Sequence, residues 1–451
     1  MSFEITEDFL SDIRQGIESG DENLLRKAII ELPEQDISAL IQELNSADDA
    51  IFCLRLLPQE KASDVLSEID PDFRIKIFKK YSPKDLAGFI DFMDSDDAVD
   101  VINQLDVQTG EEVIGWISNE EKADHILDLM HYDEDCAGGL MAKELIKANL
   151  NWTIDQCIEE IRRQSKNVDK IYSVYVVDNA GKLLGTVGIK RMLLSDGDVL
   201  IADIYDDKII SIESYRTGVE VAERMKKYDL ETIPVINVQG KLLGRITIDD
   251  VVDFITEQAD QERQMMAGIS DDTDEDDSVW ILAKSRLPWL IVGIMGGILG
   301  AQFIGLFEGF IQKVTAMAFF IPLITATGGN VGIQTSSMVV QSLARDSAYD
   351  GLEFKRFLKG FSVSLVNGIA IAGLVFVFNY FLQDDVTLAV IVSVALLSVV
   401  LISSFMGTIT PLILHRFGVN PALAAGPFIT TANDLLGIGI YFGVAYMLYT
   451  F

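Results

Sequence analysis

One acidic residue, Asp434, interrupts the last apolar stretch of the chain, within the motif Gly-Pro-Phe-Ile-Thr-Thr-Ala-Asn-Asp-Leu-Leu-Gly. Thr430 precedes it by one helical turn and would share its face of a helix. An unpaired carboxylate at the centre of a bilayer costs about 2.5 kcal/mol or more, which a cation from solution would offset. Oxygen ligands of this kind suit a hard cation such as Mg²⁺ or Ca²⁺. A protonated Asp434, hydrogen-bonded to a neighbouring helix, is the alternative interpretation.

A second polar run lies inside another apolar stretch, at residues 321–334, with the sequence Ile-Pro-Leu-Ile-Thr-Ala-Thr-Gly-Gly-Asn-Val-Gly-Ile-Gln. Pro322 and three glycines disfavour a regular helix, so the run predicts non-helical backbone. Within a membrane, such backbone is tolerated only where it is buried in protein or faces water. Freed carbonyls would then replace part of an ion's hydration shell. A tight packing site for another helix is the alternative.

The charges of the chain fall almost entirely in its first part. The 451 residues include 69 acidic and 36 basic side chains, for a net charge of −33, although 49% of residues are apolar. From Trp280 onward there are 8 basic and 7 acidic residues, so the preceding part has a net charge of −34. The acidic part lacks the clustered basic residues that nucleic-acid binding requires. Its scattered cysteines and the absence of a signal peptide predict a cytoplasmic location.

Five apolar stretches in the remainder are each long enough to cross a bilayer. They occupy residues 287–307, 314–343, 361–382, 386–415 and 421–449. The second and fourth exceed one span, and we expect interruptions at Pro322 and Pro411. Seven basic residues lie in the loops on the N-terminal side, against Lys313 alone on the other. Because cytoplasmic loops are enriched in Lys and Arg, the N-terminal part is predicted inside and the C-terminus outside.

The first apolar stretch carries two Gly-xxx-Gly pairs, at residues 293–297 and 296–300. This spacing permits close approach of another helix, in the same chain or in a second subunit. Five helices rarely enclose a pore alone, so the sequence favours a homodimer of a five-helix, all-α transmembrane domain, residues 280–451, surrounded by membrane lipids.

Residues 24–130 repeat with a period near 24. Copies start at Leu32-Pro-Glu, Leu57-Pro-Gln and Tyr81-Ser-Pro, and a fainter fourth starts at Leu105. Each has a helix start signal followed by apolar residues at helical spacing. The pattern predicts an all-α superhelical N-terminal domain of stacked helix pairs over residues 1–134.

A second repeat pairs residues 174–189 with residues 233–248. In each copy two β-branched runs flank a Gly-containing turn, as in a hairpin, and a helix follows. This looks like an α/β tandem CBS pair, at residues 135–200 and 201–257. CBS pairs often bind ATP or another adenine nucleotide, and Thr247 with Asp250 has the spacing used for ribose and phosphate in that superfamily. The first copy offers Gly188 instead of Thr, so at most one nucleotide site is expected. A purely structural pair is the alternative.

Three motifs together resemble the MgtE family of magnesium channels: KSRLPWLIVG before the first span, IPLITATGGNVGIQ, and GPFITTANDLLG. The resemblance implies a homodimer in the bacterial inner membrane, with a pore between its subunits. In that family the acidic residue of the last span holds a largely hydrated Mg²⁺, aided by carbonyls around Gly-Gly-Asn. The pore residues implied for this chain are Asp434, Thr430, Gly329, Ala326 and Asn330. Ile333 replaces a residue that is polar in many members, so no side-chain ligand is expected there.

Residues 248–266 predict an amphipathic helix, which with the acidic segment that follows forms a connecting region over 248–279. Its apolar stripe and its acidic face are both spaced for a helix. The stripe contains Ile248, Val251, Val252, Ile255 and Ala259, and the acidic face contains Asp249, Asp253, Glu257 and Asp260. In the MgtE family this helix plugs the pore when cytosolic Mg²⁺ bridges acidic domains. The hypothesis here is that Mg²⁺ binds Asp249, Asp253, Glu257 and Asp97 and closes the pore. A solvated acidic face is the alternative.

Two other functions remain open from the sequence. One is transport of another divalent cation, Co²⁺, Mn²⁺ or Ca²⁺, or transport coupled to Na⁺ or H⁺. The other is a membrane-tethered nucleotide or metal sensor that does not transport. An enzyme is not expected, because no nucleophile–base pair, phosphate loop or catalytic metal cluster is recognisable.

Overall fold

The computed structural model describes residues 5–164, 171–269, 273, 278–345, 353–383, 386–424 and 426–449. The chain forms two compact units, Met1–Ile255 and Thr256–Phe451. Most of the acidic run at residues 271–277 lies outside the described residues.

Ten short helices form the first part of the N-terminal unit. They are α1 (Glu7–Ser19), α2 (Glu22–Ile29), α3 (Glu34–Leu44), α4 (Ala47–Leu56), α5 (Gln59–Ser67), α6 (Pro71–Phe78), α7 (Pro83–Ile90), α8 (Ser95–Asn103), α9 (Val107–Trp116) and α10 (Glu120–Leu129). Odd-numbered helices pack in the order α3, α5, α7 and α9, and even-numbered helices pack α2 on α4 and α4 on α6. The four predicted copies lead into α3, α5, α7 and α9, which confirms the helical repeat.

Capping hydrogen bonds and local backbone conformations define where the helices begin and end. Ser82 and Asp85 form a reciprocal capping box at the start of α7, and Pro83 occupies the first turn, where no amide hydrogen is needed. Asn45 adopts a left-handed conformation, φ 48°, after α3, a conformation that Asn tolerates better than most residues. Such caps explain why the repeat boundaries are readable from the sequence.

Two three-stranded sheets follow the helical repeat. The first contains β1 (Ile146–Asn149), β2 (Val174–Val177) and β3 (Leu183–Val187), and the second contains β4 (Ile212–Glu213), β5 (Thr232–Ile236) and β6 (Leu242–Thr247). In each sheet the last two strands form an antiparallel hairpin and the first strand runs parallel to the middle one. Gly181 and Gly240, with φ of 79° and 77°, supply the left-handed residue that each turn requires. The predicted tandem hairpins are confirmed.

The described residues of the N-terminal unit contain five further helices: α11 (Ile154–Gln164), α12 (Ile189–Leu193), α13 (Ile201–Ile204), α14 (Gly218–Tyr228) and α15 (Ile248–Ala267), the last of which extends into the second unit. One apolar core extends from α1 through the helical repeat into the second α/β module, where Ile233, Val235 and Ile246 belong to it. The helical domain and the second module are therefore packed together rather than merely linked.

Helix α15 occupies the predicted place, but its apolar stripe is not buried as a whole. Only Val251 of the stripe is buried, together with Phe254, which lies outside it. Ile248, Val252 and Ile255 are 40%, 53% and 48% exposed. A single chain thus leaves most of this face uncovered.

The second unit contains α16 (Val279–Gly305), α17 (Glu308–Lys313), α18 (Ile321–Arg345), α19 (Glu353–Gln383), α20 (Val386–Arg416) and α21 (Pro427–Tyr449), with 3₁₀ segments at Thr315–Phe320 and Pro421–Ala424. Five segments among the described residues are long and apolar enough to span a membrane, which confirms the predicted five-helix domain. Helix α20 packs against α18, α19 and α21 and forms the centre of the bundle.

The predicted non-helical backbone at residues 321–334 is wrong, because α18 runs as an α-helix from Ile321 to Arg345. Pro322 is its second residue, where proline is tolerated. Gly328 of this run and Gly407 of α20 instead lie where α18 and α20 pack so closely that a side chain would not fit. A β-carbon at Gly328 would lie 2.9 Å from Val399 Cγ1 of α20, and one at Gly407 would lie 2.6 Å from the Gly332 carbonyl oxygen. Tertiary packing thus overrides the low helix propensity, and the break expected at Pro411 is also absent from α20.

Candidate cation sites

The first candidate site lies in the first two turns of α21. Thr430 donates its Oγ1 hydrogen bond to the Pro427 carbonyl oxygen at 2.8 Å, which ties the hydroxyl to the start of the helix. Asp434 follows one turn later and is half-buried. With a rise of about 1.5 Å per residue, it lies roughly 10 Å along the helix from Pro427. The carboxylate is therefore well inside the spanning segment.

Gly329 of α18 brings the two predicted pore helices together at this carboxylate. A β-carbon added to Gly329 would lie 3.9 Å from Asp434 Oδ1 and 3.6 Å from Thr430 Cγ2. Ala326 and Asn330, one turn apart on α18, are exposed. The structure thus places Asp434 and Thr430 directly beside Gly329, while Ala326 and Asn330 line the open side of the same helix.

The carbonyl groups predicted to be freed around Gly-Gly-Asn are not free. Because α18 is α-helical, the carbonyls of Ala326 and Gly329 belong to its regular hydrogen-bond ladder. The non-helical backbone on which freed carbonyls depended is therefore absent from residues 321–334, and a contact of Ala326 or Gly329 with the ion stays a prediction. The chemistry that remains is a carboxylate and a hydroxyl-bearing side chain, which suits a cation that keeps several of its waters.

No basic side chain lies within ion-pair distance of Asp434 among the described residues. A buried or half-buried carboxylate without a partner is costly in a membrane, and such residues usually mark an ion pathway. The electrostatics of the site therefore favour a positive charge from outside the protein.

The second candidate site lies in the N-terminal unit, where the helical repeat meets the second α/β module. Carboxylate oxygens of Asp94, Asp96 and Glu144 lie within 4.8 Å of one another, and we call these three residues the acidic cluster. Asp94 occupies the N-cap position of α8, where its side chain makes no capping hydrogen bond, and Asp96 lies in the first turn, while Glu144 precedes β1. Ser95 holds Glu144 in place, because its backbone N–H and Oγ donate to Glu144 Oε2 at 3.1 and 2.7 Å.

The carboxylates of the acidic cluster repel one another, because they carry the same charge and lie close together. Removal from bulk water, with the charges of Asp97 and Asp250 adding to it, raises the pKa of Asp96 well above its ordinary value. The same loss of hydration, with Asp94 and Asp100 nearby, raises the pKa of Asp97 to about 7. A divalent cation would relieve this repulsion.

Only part of this region is recognisable from the sequence. Asp97 was predicted as a regulatory residue and does lie beside the cluster, as its interactions with Asp94 and Asp250 indicate. The three clustered residues themselves were missed. Asp94 and Asp96 belong to a conspicuous acidic run, but Glu144 lies about fifty residues further along the chain, and only the fold brings it near.

The other predicted regulatory residues are not part of the acidic cluster. Asp249, Asp253 and Glu257 are exposed on α15. Desolvation, followed by the charge of Asp249, raises the pKa of Asp253. These residues form a separate acidic surface on the helix.

The two predicted nucleotide-binding residues, Thr247 and Asp250, are hydrogen-bonded to each other. Thr247 donates both its backbone N–H and its Oγ1 to Asp250 Oδ2, at 2.9 and 2.5 Å. The nearby cavity lined by Tyr172, Tyr175 and Arg245 has a volume of about 10 Å³, which is enough for about one water molecule. In this conformation Thr247 therefore stabilises the start of α15.

The end of α15 contacts the start of α21 within the second unit. Asn420 Nδ2 lies 3.3 Å from Met265 Sδ. A β-carbon at Gly268 would lie 3.0 Å from Pro427 Cγ, and one at Gly426 would lie 3.4 Å from the Met265 carbonyl oxygen. The connecting helix thus ends against the turn that precedes Thr430 and Asp434.

Comparisons with protein-family models divide the chain into three kinds of domain. Residues 321–444 match MgtE, described as a divalent cation transporter, and residues 32–135 match the MgtE intracellular N domain. Residues 137–195 and 201–257 each match a CBS domain.

Curated relatives resemble the chain over most of its length. The magnesium transporter MgtE of Thermus thermophilus is 29% identical over 447 residues, covering 97% of both chains. The magnesium transporter MgtE of Enterococcus faecalis is 32% identical over 331 residues, covering 72% of both chains. The magnesium transporter MgtE of Bacillus subtilis is 27% identical over 421 residues, covering 93% of both.

Two solved structures resemble the N-terminal unit. The soluble part of a magnesium transporter matches with a TM-score of 0.51 and 26% identity, covering 56% of this chain and 99% of that chain. The cytosolic domain of the Mg²⁺ channel MgtE in complex with ATP matches with a TM-score of 0.51 and 28% identity, covering 54% of this chain and 99% of that chain.

Proposed function

Because the chain belongs to the MgtE family of magnesium transporters, we propose that it carries Mg²⁺ across the membrane along a path that passes Asp434. The observation that carries this proposal is the position of Asp434, half-buried in a spanning helix, beside Thr430 and Gly329 and without a basic partner among the described residues. The chain is an integral membrane protein with five apolar helices.

The pore forms between two copies of the chain. Ala326 and Asn330 are exposed on the helix that faces Asp434, so a single bundle leaves one side of the site open. A second copy that packs against this side would enclose the path and bring a second Asp434 to it. Two carboxylates then attract a divalent cation while the ion keeps most of its water.

The membrane is the bacterial inner membrane, with the N-terminal unit in the cytoplasm and the C-terminus outside. Seven basic loop residues on one side against one on the other support this orientation. The bacterial sources of the three relatives support a bacterial plasma membrane.

Cytosolic Mg²⁺ closes the path. The acidic cluster lies where the helical repeat meets the second α/β module, and Asp97 and Asp250 add to its charge. Neutralisation by Mg²⁺ would stabilise the compact arrangement of the N-terminal unit. Helix α15 would pass this change on, because it begins in that unit and its end contacts Gly426 and Pro427. Asp249, Asp253 and Glu257 on α15 provide further acidic ligands.

The tandem CBS pair also binds an adenine nucleotide. The similar cytosolic domain solved with ATP supports this part of the proposal. If Thr247 and Asp250 hold the ribose or phosphate, their mutual hydrogen bond must open first, since Thr247 Oγ1 donates to Asp250 in this structure.

Mg²⁺ flux into proteoliposomes tests the transport proposal. The variant Asp434→Ala should reduce flux to background, and Glu308→Gln, a change of an exposed carboxylate outside the spanning helices, should leave it unchanged. Flux that survives in Asp434→Ala would overturn the pore assignment. Parallel assays with Co²⁺, Mn²⁺ and Ca²⁺ distinguish a transporter of another cation, and absence of any flux would favour a sensor.

A further inference from the structure

Three basic side chains lie beside the acidic residues of α8 and the segment before it, and all are more than nine-tenths buried. Arg74, Lys122 and Arg245 are 5%, 8% and 5% exposed. Buried cations are costly unless they are paired and hydrogen-bonded. The hydrogen bonds and ion pairs that each of the three cations makes therefore indicate its role.

Two of these cations have structural roles. The Arg74 Nη1 group donates to the carbonyl oxygens of Leu66 and Ser67 at 3.3 and 2.9 Å, and its Nε donates to Gln104 Oε1 at 3.0 Å. Lys122 Nζ donates to the Met93 carbonyl oxygen. Both side chains hold helix ends together.

Arg245 differs because its hydrogen bonding is incomplete. Its Nη2 lies 3.7 Å from Asp94 Oδ2, which is an ion pair too long for a hydrogen bond. Its Nε is buried and has no hydrogen-bond partner in the described part of the chain. The guanidinium group lies 5.3 Å from the centre of the Tyr172 ring. Arg245 is thus directed at the acidic cluster without being fully bound there.

The backbone of Arg245 is fixed relative to the cluster. Its N–H donates to the Ala142 carbonyl oxygen at 2.9 Å, and its carbonyl accepts from the Ala142 N–H at 2.8 Å. Ala142 lies two residues before Glu144. Strand β6 therefore carries Arg245 and, through this pairing, the segment that carries one of the clustered carboxylates.

We propose that Arg245 is a tethered counter-cation of the acidic cluster, which competes with a divalent cation for Asp94 and so sets the Mg²⁺ concentration at which the N-terminal unit closes the path. This proposal rests on the closure by cytosolic Mg²⁺ described above. In the absence of Mg²⁺, Arg245 supplies part of the positive charge that the carboxylates need. When Mg²⁺ binds, the guanidinium repels the ion, and the ion pair between Arg245 and Asp94 must break before Asp94 can bind Mg²⁺.

Removing this fixed positive charge should raise the affinity of the cluster for Mg²⁺. Even with the dielectric constant of bulk water, repulsion between a guanidinium and a divalent ion roughly 6 Å away changes affinity about tenfold, so tenfold is a lower bound for a partly buried site. A cation without a fixed competitor would bind at a lower concentration.

The test measures hydrogen–deuterium exchange of α8 in the full-length protein as Mg²⁺ is raised from micromolar to tens of millimolar. In Arg245→Met, whose side chain retains length and packing against Tyr172, the Mg²⁺ midpoint should fall by at least about tenfold. Arg245→Lys, which keeps the charge, should remain near the wild type. Arg216→Met is the matched control, because Arg216 is on the same module but pairs with Glu213 and Glu220 away from the cluster. Its midpoint should not change.

A midpoint that is unchanged or raised in folded Arg245→Met would overturn the proposal, because Arg245 would then only support the structure. Arg245→Gln, a neutral side chain that still donates hydrogen bonds, answers the same question if the Met variant does not fold. Absence of any Mg²⁺ dependence in the wild type would instead overturn the proposed closure itself, and flux through the pore would be unaffected by that result.

Discussion

Asp434 Oδ1 lies 3.9 Å from the point that a β-carbon would occupy on Gly329, so the carboxylate of α21 faces a bare stretch of α18 backbone. The missing side chain lets α18 and α21 approach closely at the carboxylate, where Gly329 itself is buried. This relationship between two helices is the geometric basis of the proposed pore site.

Gly329→Ala should therefore reduce Mg²⁺ flux without unfolding the protein. The added methyl group fits at ordinary contact distance, but it places an apolar group against the Asp434 carboxylate, where it hinders contact between the ion and that side chain. We expect a decrease of several-fold in proteoliposome flux, and a larger decrease for Gly329→Val. Gly360→Ala in α19 is the control, because no atom lies within 4 Å of its added β-carbon. Equal flux in Gly329→Val and the wild type would contradict this view of the site.

A different outcome is expected at Gly332, three residues along the same helix. A β-carbon there would collide with Asn433 Nδ2 of α21, a residue that is completely buried. Gly332→Ala should destabilise the bundle by about 1–3 kcal/mol, the usual cost of overpacking. Thermal unfolding in detergent measures the change. Gly373→Ala in α19, with no atom near its β-carbon, should be neutral or slightly stabilising.

Ser95 should control the geometry of the acidic cluster. Its Oγ donates to Glu144 Oε2 at 2.7 Å and accepts from the Lys143 N–H at 2.8 Å. Ser95→Ala leaves Glu144 free to turn away, and should both destabilise the N-terminal unit by about 1–3 kcal/mol and raise the Mg²⁺ midpoint. Hydrogen exchange of α8 reports both quantities. An unchanged midpoint in this variant would mean that the position of Glu144 does not matter to the cation and that Glu144 is not a ligand.

The compact N-terminal unit should lose stability as pH rises when Mg²⁺ is absent. Asp97 has a folded pKa of about 7, above its ordinary value of 3.8, so the folded state binds the proton more tightly than the unfolded state does. The stabilisation by this proton is complete below about pH 4 and is lost as pH rises through about 7. Hydrogen exchange of α8 in the wild type, corrected for intrinsic rates, should show a negative slope of stability against pH.

Asp97→Asn should flatten that slope, because the amide cannot titrate. Saturating Mg²⁺ should flatten it as well, since the bound cation replaces the proton as the source of positive charge. Stability that instead increases between pH 4 and pH 7 in Mg²⁺-free buffer would show that the carboxylates are stabilised in their charged form.

Local patterns in the sequence determined most of the architecture. Each helical repeat begins at a Pro or Ser signal whose capping depends on residues a few positions away, as at Ser82 and Asp85. Both hairpins turn at a glycine with positive φ, and the five spans follow from apolar length alone. These features depend on interactions close in the sequence, or on the solvent, and they were predicted correctly.

Tertiary structure decided what depends on contacts between distant segments. The glycines of α18 look like helix breakers in isolation, but neighbours such as Val399 and Asn433 make them packing positions in a continuous helix. The acidic cluster requires Glu144 to meet Asp94 across about fifty residues. Arg245 is an unremarkable residue of a strand until folding buries it beside Asp94. Burial and charge proximity are properties of the folded chain, because neither is defined until remote residues share the same space.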